Sequence, residues 1–187
     1  AEGRAQRSLS LRKRKKVQEG LRAQSGRERA VSERPIAIHD PIHATIELSP
    51  REIRLVDSQA FQRLRHIRQL GFSEYAFPGA THTRYAHSLG AMQMATRMID
   101  RILPDLSLPA ADAERVRQTV RLAVLFHDIG HPPMSHVSER VMPPVAALDL
   151  GSWIGDPHRQ ATHEDFTIKI LIDSELAGLI GKGFGDL

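Results

Sequence analysis

Leu122-Ala123-Val124-Leu125-Phe126-His127-Asp128-Ile129-Gly130-His131-Pro132-Pro133-Met134-Ser135-His136 runs from an apolar helical pattern straight into three histidines and a carboxylate. Upstream, Asp112, Glu114, Arg115 and Arg117 make the same predicted helix, about Ala110 to Ile129, charged at its start and apolar at its end. Its C-terminal end is therefore the buried one. Gly130 and Pro132-Pro133 stop the helix directly after His127-Asp128, since proline cannot continue it and glycine commonly closes it. Polar side chains at a buried helix end need a partner. An imidazole beside a carboxylate is a donor pair suited to a divalent first-row metal. Neighbours on a helix point about 100° apart, so the two share an ion best above the last turn. A further ligand has to come from another element, and His87 on the preceding long helix is the leading candidate. His131 and His136 follow closely enough to act on what the ion holds.

Working outward, the pattern is helical almost everywhere. Ile36 to Leu48 alternates apolar and polar residues around Asp40-Pro41 and predicts a small β-hairpin or extended arm. Ser49-Pro50-Arg51-Glu52 has the order of a capping box with proline at the first helical position. Asp57-Ser58 offers a second cap, splitting that helix into two short ones. Phe61, Leu64, Ile67 and Leu70 form one stripe that predicts a helix over Gln59–Leu70, and Gly71 ends it. A helix over about Arg84–Leu103 has Leu89, Met92, Ala95, Ile99 and Ile102 as its inner face, with Met92, Met94 and Met98 read as core filling. A short helix over Ser135–Val141 and one over about His158–Ile172 follow, and the glycine-rich end from Gly178 offers no closing element. The expected fold class is all-α, a helical bundle with a short N-terminal arm.

The 187 residues suffice for one buried domain, and the absence of cysteine excludes disulfides and thiolate metal sites. Residues 1–34 carry eleven Lys or Arg against four Asp or Glu, so this stretch is +7 and the remainder −3. It reads as a flexible basic tail ahead of a domain over 35–187, with nucleic acid as a candidate electrostatic partner. No apolar run approaches the roughly 18 residues of a membrane span, and no signal core follows the basic start, so the expectation is a soluble cytoplasmic protein.

Five stretches in order carry a family resemblance: Asp40-Pro41-Ile42-His43; Asp57 to Arg65; Gln69-Leu70-Gly71; Phe77-Pro78-Gly79-Ala80-Thr81-His82-Thr83-Arg84-Tyr85-Ala86-His87-Ser88-Leu89-Gly90; and His127-Asp128-Ile129-Gly130-His131. Together they resemble the HD-domain phosphohydrolases, within them the deoxynucleoside triphosphate triphosphohydrolase branch. The likeness covers residues 36 to about 170 and is densest as far as His136.

That resemblance implies an HD-domain helical bundle and hydrolysis of a dNTP to deoxynucleoside and inorganic triphosphate. It makes His87, His127 and Asp128 ligands of a divalent metal such as Mn, Fe, Mg, Zn or Ni. The family's fourth ligand is an aspartate from a helix further downstream, which implies that the sequence is the N-terminal part of a longer protein. The family pattern gives His136 the leaving-group proton, with Glu139 holding its ring; His131 meets the phosphates, and His163 with Glu164 forms a second element near the site. Arg84 matches a phosphate-contacting arginine, and Gln69 and Leu70 line the nucleotide pocket. Asp57, Gln62 and Arg65 match a guanine-binding regulatory site used by some members, which form homo-oligomers. The sequence departs from the family at Ala44, usually glycine, and at Ala86, commonly acidic. Two other functions compete: hydrolysis of another nucleotide phosphoester, or nucleotide or nucleic-acid binding at a catalytically incomplete site.

Overall fold

The computed structural model describes residues 34–151 and 155–185. The basic stretch before Arg34, with its nucleic-acid expectation, lies outside the described residues. From Pro35 onward the chain is mostly helical and opens with one antiparallel hairpin, β1 (Ile36–Asp40) and β2 (Ala44–Leu48), in register Ile36 to Leu48 and Asp40 to Ala44. Asp40 Oδ1 accepts from the backbone N–H of Ile42 (2.9 Å) and His43 (2.7 Å), shaping the turn. Ala44 sits in the left-handed region at φ 62°.

Ser49 caps α1 (Pro50–Val56) with the full capping box to Glu52, and Ser58 caps the single turn α2 (Gln59–Gln62), so the two short helices are as the sequence indicates. The longer helix expected to Leu70 does not form. α2 passes into a 3₁₀ turn at Arg63–His66, Ile67 is extended, and Gln69 N–H instead reaches His82 O (3.1 Å) while Arg84 N–H reaches Ile67 O (2.9 Å). Phe61, Leu64 and Ile67 are buried as the stripe requires, but a chain pairing along Arg68 and Thr83 has left the helix.

The two long helices, α3 (Arg84–Ile102) and α4 (Ala110–Phe126), pack against each other and form the frame. Phe61 meets Tyr85 and Phe126 edge-on, with ring centroids 5.5 and 6.1 Å apart, contacts worth about 1 kcal/mol each beyond their burial. The inner face of α3 is shorter than expected. Leu89 and Met92 are buried, whereas Ile102 is exposed on the expected inner face, and Met94 and Met98, read as core filling, are exposed because at about 100° per residue they lie across the helix from Met92. Under the frame, Arg121 of α4 lies buried on Glu52 (2.7 and 2.9 Å), Thr96 Oγ1 (2.7 Å) and Glu47 O (3.0 Å), tying α4 to α1, α3 and the hairpin.

After α4 the chain turns through Ile129 and Gly130 and makes 3₁₀ turns at Ser135–Val141 and Val145–Leu148. Helix α5 is shorter than predicted, His163–Ile172, because Thr162 starts it with a capping box to Asp165. A final helix, α6 (Glu175–Phe184), does close the chain where the glycine content argued against one: Leu176 and Phe184 are buried and α6 packs on α1 and α5. No described helix is long and apolar enough to cross a membrane.

Candidate metal centre

His87 comes from the first turn of α3, which Thr83 caps through its side chain; His127 is the C-cap of α4, and Asp128 follows it. Their ligating atoms form a near-equilateral triangle: His87 Nε2 to His127 Nε2 is 3.3 Å, His127 Nε2 to Asp128 Oδ2 is 3.4 Å, and His87 Nε2 to Asp128 Oδ2 is 3.6 Å. A side of about 3.4 Å divided by √3 puts the centre about 2.0 Å from each atom, the bond length that nitrogen and oxygen donors make to a first-row divalent ion. His127 Nδ1 donates to Val124 O at 2.7 Å, which fixes the tautomer and leaves Nε2 free to ligate. Burial pushes His87 below the usual imidazole range, with His127 and Arg84 adding to the effect and Asp128 opposing it. A neutral ring is the ligating form. The donor set fits a divalent cation.

Burial alone would raise the Asp128 carboxyl. The His131 hydrogen bond and the charges of His127 and Arg84 outweigh it and hold the group well below the usual carboxylate range. Arg84 is itself buried, with NH1 on Asp128 Oδ2 at 2.6 Å and NH2 on both Ser135 Oγ and Gln69 O. The arginine matched to phosphate thus aligns the metal-facing carboxylate and joins it to the Gln69-Leu70 turn. Ser135, which sequence reasoning passed over, has a left-handed backbone at φ 56° and presents its hydroxyl to Arg84.

A second cluster adjoins the first through His131, whose Nε2 lies 3.3 Å from Asp128 Oδ1. The His131 ring stacks on that of His163 at 3.8 Å and 17°, and His136 stands edge-on to both. Glu139 Oε1 accepts from His136 Nδ1 (3.1 Å) and His163 Nδ1 (2.5 Å), and these bonds hold its carboxyl low although burial alone would raise it. His163 Nε2 faces Glu164 at 3.3 Å. Sequence spacing paired Glu139 with His136; its hold on His163, across 24 residues, was not visible from spacing.

Several supports also lay outside the sequence reading. Arg63 reaches the carbonyls of His131 (2.8 Å) and Ile129, pinning the loop below the metal triangle. Thr167 Oγ1 accepts from Gly130 N–H (3.0 Å) and donates to His127 O (3.3 Å), locking α5 to the end of α4. Gly130 does not adopt a left-handed conformation; it is needed for space, because a Cβ there would lie 2.0 Å from His163 O. Among the described residues, Gln69 Oε1, Arg84 Nε and His131 Nδ1 are buried with no hydrogen-bond partner, so three residues matched to substrate contact retain unmet polar capacity. Leu70 lies half-buried beside Gln69.

Asp57, Gln62 and Arg65 gather elsewhere, around Tyr85. Arg65 donates to Gln62 Oε1 (2.7 Å) and lies 3.6 Å over the Tyr85 ring, while Gln62 donates to Val56 O (2.8 Å). Asp173, at the end of α5, pairs with Lys169 at 2.5 Å and takes no part in the metal triangle.

Two histidines and an aspartate that could hold a divalent metal thus meet where one helix ends against the start of another, and the profile of the HD domain family matches residues 84–180, more than half of the chain. The chain belongs to the HD domain family. Among its relatives is the deoxynucleoside triphosphate triphosphohydrolase SAMHD1 of Mus musculus, 37% identical over 150 residues that make up 79% of this chain and 21% of that protein. The Homo sapiens protein of the same name is 43% identical over 116 residues, 60% of this chain and 18% of that one. An uncharacterized protein of Methanocaldococcus jannaschii is 42% identical over 102 residues, 54% of this chain and 20% of that protein. The chain thus spans about a fifth of the length of these relatives.

Proposed function

We propose that the protein is a metal-dependent phosphohydrolase that cleaves deoxynucleoside triphosphates into deoxynucleoside and inorganic triphosphate. The observation that carries this reading is the junction of the two clusters: a metal triangle and an acid–base group of imidazoles share one link, Asp128 to His131. His87, His127 and Asp128 would hold the ion, which supplies Lewis acidity toward a phosphate oxygen and a water nucleophile at neutral pH.

The remaining steps belong to side chains. His136 gives the proton from Nε2 to the departing 5′ oxygen, while Glu139 accepts its Nδ1–H and stabilises the charged ring. His163 braces the same carboxylate from the other side. His131 is matched to the phosphates, and Asp128 holds its ring through Nε2. Arg84 fixes Asp128, and its Nε, like Gln69 Oε1, is buried without a partner. Gln69 and Leu70 line the nucleotide pocket. Asp57, Gln62 and Arg65 belong to the proposal as a regulatory nucleotide site.

The test is to incubate the metal-loaded protein with each dNTP and separate the products by ion chromatography. Tripolyphosphate and deoxynucleoside in equal amounts, lost in His127→Ala, are expected. Pyrophosphate with a nucleoside monophosphate, or phosphate released from a monophosphate in the same panel, would reassign the centre to another phosphoester.

A further inference from the structure

We infer that His136, Glu139 and His163, with His131 as the fourth donor, form a second transition-metal site whose occupation shuts off the leaving-group acid. The consequence for turnover rests on the proposed function; the site itself rests on geometry. Each of the four residues offers one ligating atom, and the four atoms lie within 4.8 Å of one another. Four donors at about 2.1 Å around a tetrahedral ion lie about 3.4 Å apart, so closing the set takes side-chain rotation, chiefly at His131.

Glu139 Oε1 already lies between two ring nitrogens, at 3.1 Å from His136 Nδ1 and 2.5 Å from His163 Nδ1. Two protons now fill the place that a cation would take. In neutral rings both can move to Nε2, leaving two Nδ1 lone pairs and one carboxylate oxygen converging without net loss of a proton. His131 adds an independent sign. It is 1% exposed, and its Nδ1 has no partner, an uncommon state for a buried imidazole nitrogen. Its near-parallel stack on His163 means that one of the two rings must turn before both ligate.

Three imidazoles and one carboxylate, without a thiolate, suit Zn2+, Ni2+ or Cu2+ better than Mg2+, which prefers oxygen donors. The site lies next to the triangle of His87, His127 and Asp128 but shares no ligand with it. An ion bound there occupies the ring that must give up a proton and removes Glu139 from its service. Zn2+ should therefore support turnover at one equivalent and suppress it above that, whereas excess Mg2+ should not.

The experiment is direct counting of ions. The full chain, stripped of metal, is titrated with Zn2+ by calorimetry and, in parallel, with Co2+, whose visible absorption reports imidazole coordination. Two equivalents are expected for the wild type and one for His127→Ala. His163→Ala should also bind one. Glu139→Gln, which keeps size and hydrogen bonding, should hold its second ion at least tenfold more weakly, and it guards against a variant that merely unfolds. A single equivalent in the wild type, or a second equivalent unaffected by Glu139→Gln and His163→Ala, overturns the site. Ion counts do not depend on turnover, so two equivalents without tripolyphosphate release would retain the site and remove the function, and one equivalent with release the reverse.

Discussion

Gly130→Ala isolates the contact on which the second half of the site depends. The added Cβ would lie 2.0 Å from His163 O and 2.3 Å from Thr167 N, both backbone atoms in the first turns of α5. Real Cβ atoms keep about 3.0 Å from such neighbours, so that part of α5 must retreat by about 1 Å. The retreat breaks the Gly130 N–H to Thr167 Oγ1 bond, about 1 kcal/mol, and overpacking adds about 1–3 kcal/mol. The sum, about 2–4 kcal/mol, lowers Tm by roughly 5–15 °C for a chain of this size. Because His163 begins α5, the same movement opens its stack on His131 and draws it from Glu139. A displacement of about 1 Å in a catalytic group costs on the order of 100-fold in rate. Urea denaturation and tripolyphosphate release measure the two effects. Thr167→Val serves as the control for the rate: it loses both hydrogen bonds of the hydroxyl, about 2 kcal/mol, without the clash that displaces His163. A Gly130→Ala protein within about 0.5 kcal/mol of wild type and fully active would refute the close-approach argument.

The buried ion pair under the frame makes another prediction: Arg121→Met leaves Glu52 buried without its cation and should cost about 3–5 kcal/mol in urea denaturation, with part recovered in Arg121→Met/Glu52→Gln. Acid should act through depressed carboxyls. Arg159, with two 2.6 Å hydrogen bonds, lowers Asp165; in Glu52, burial raises the carboxyl but Arg121 outweighs it. Groups lowered by folding stabilise the chain above their unfolded values, near about pH 4, and lose that contribution as pH falls through the folded ones. Unfolding followed by circular dichroism should therefore begin below about pH 4, and Asp165→Asn should flatten the slope there; an unchanged acid limb would contradict the assignment.

Legibility from sequence followed the range of the interactions. Caps at Ser49 and Ser58 are local and were readable, as were α3, α4 and the helix end at His127-Asp128, whereas the Thr83 cap of α3 was not read. The stripe Phe61-Leu64-Ile67 gave the right burial and the wrong backbone, since period-three spacing also suits a 3₁₀ turn followed by an extended residue. α6 escaped notice because glycine propensity weighed against it, while its buried Leu176 and Phe184 depend on α1, more than a hundred residues away. Ala44 shows the opposite case. Its place in a motif that usually carries glycine marked a departure, and its φ of 62° explains the family preference, since only glycine adopts that conformation without cost.

Asp128 explains why the two clusters cannot be treated separately. One carboxylate oxygen faces His87, His127 and Arg84; the other faces His131. An ion in the triangle draws charge toward Oδ2 and competes with Arg84 NH1 for the same oxygen, while Oδ1 keeps hold of His131. The orientation of His131 is thereby coupled to the metal ligand, and through the stack to His163 and Glu139. In this arrangement, changing Asp128 to asparagine removes one ligand and also turns an acceptor at His131 into an amide of either orientation. The helix end supplies the position, Arg63 and Thr167 hold it against the loop and α5, and the carboxylate joins the candidate metal triangle and the imidazole cluster in one hydrogen-bonded unit.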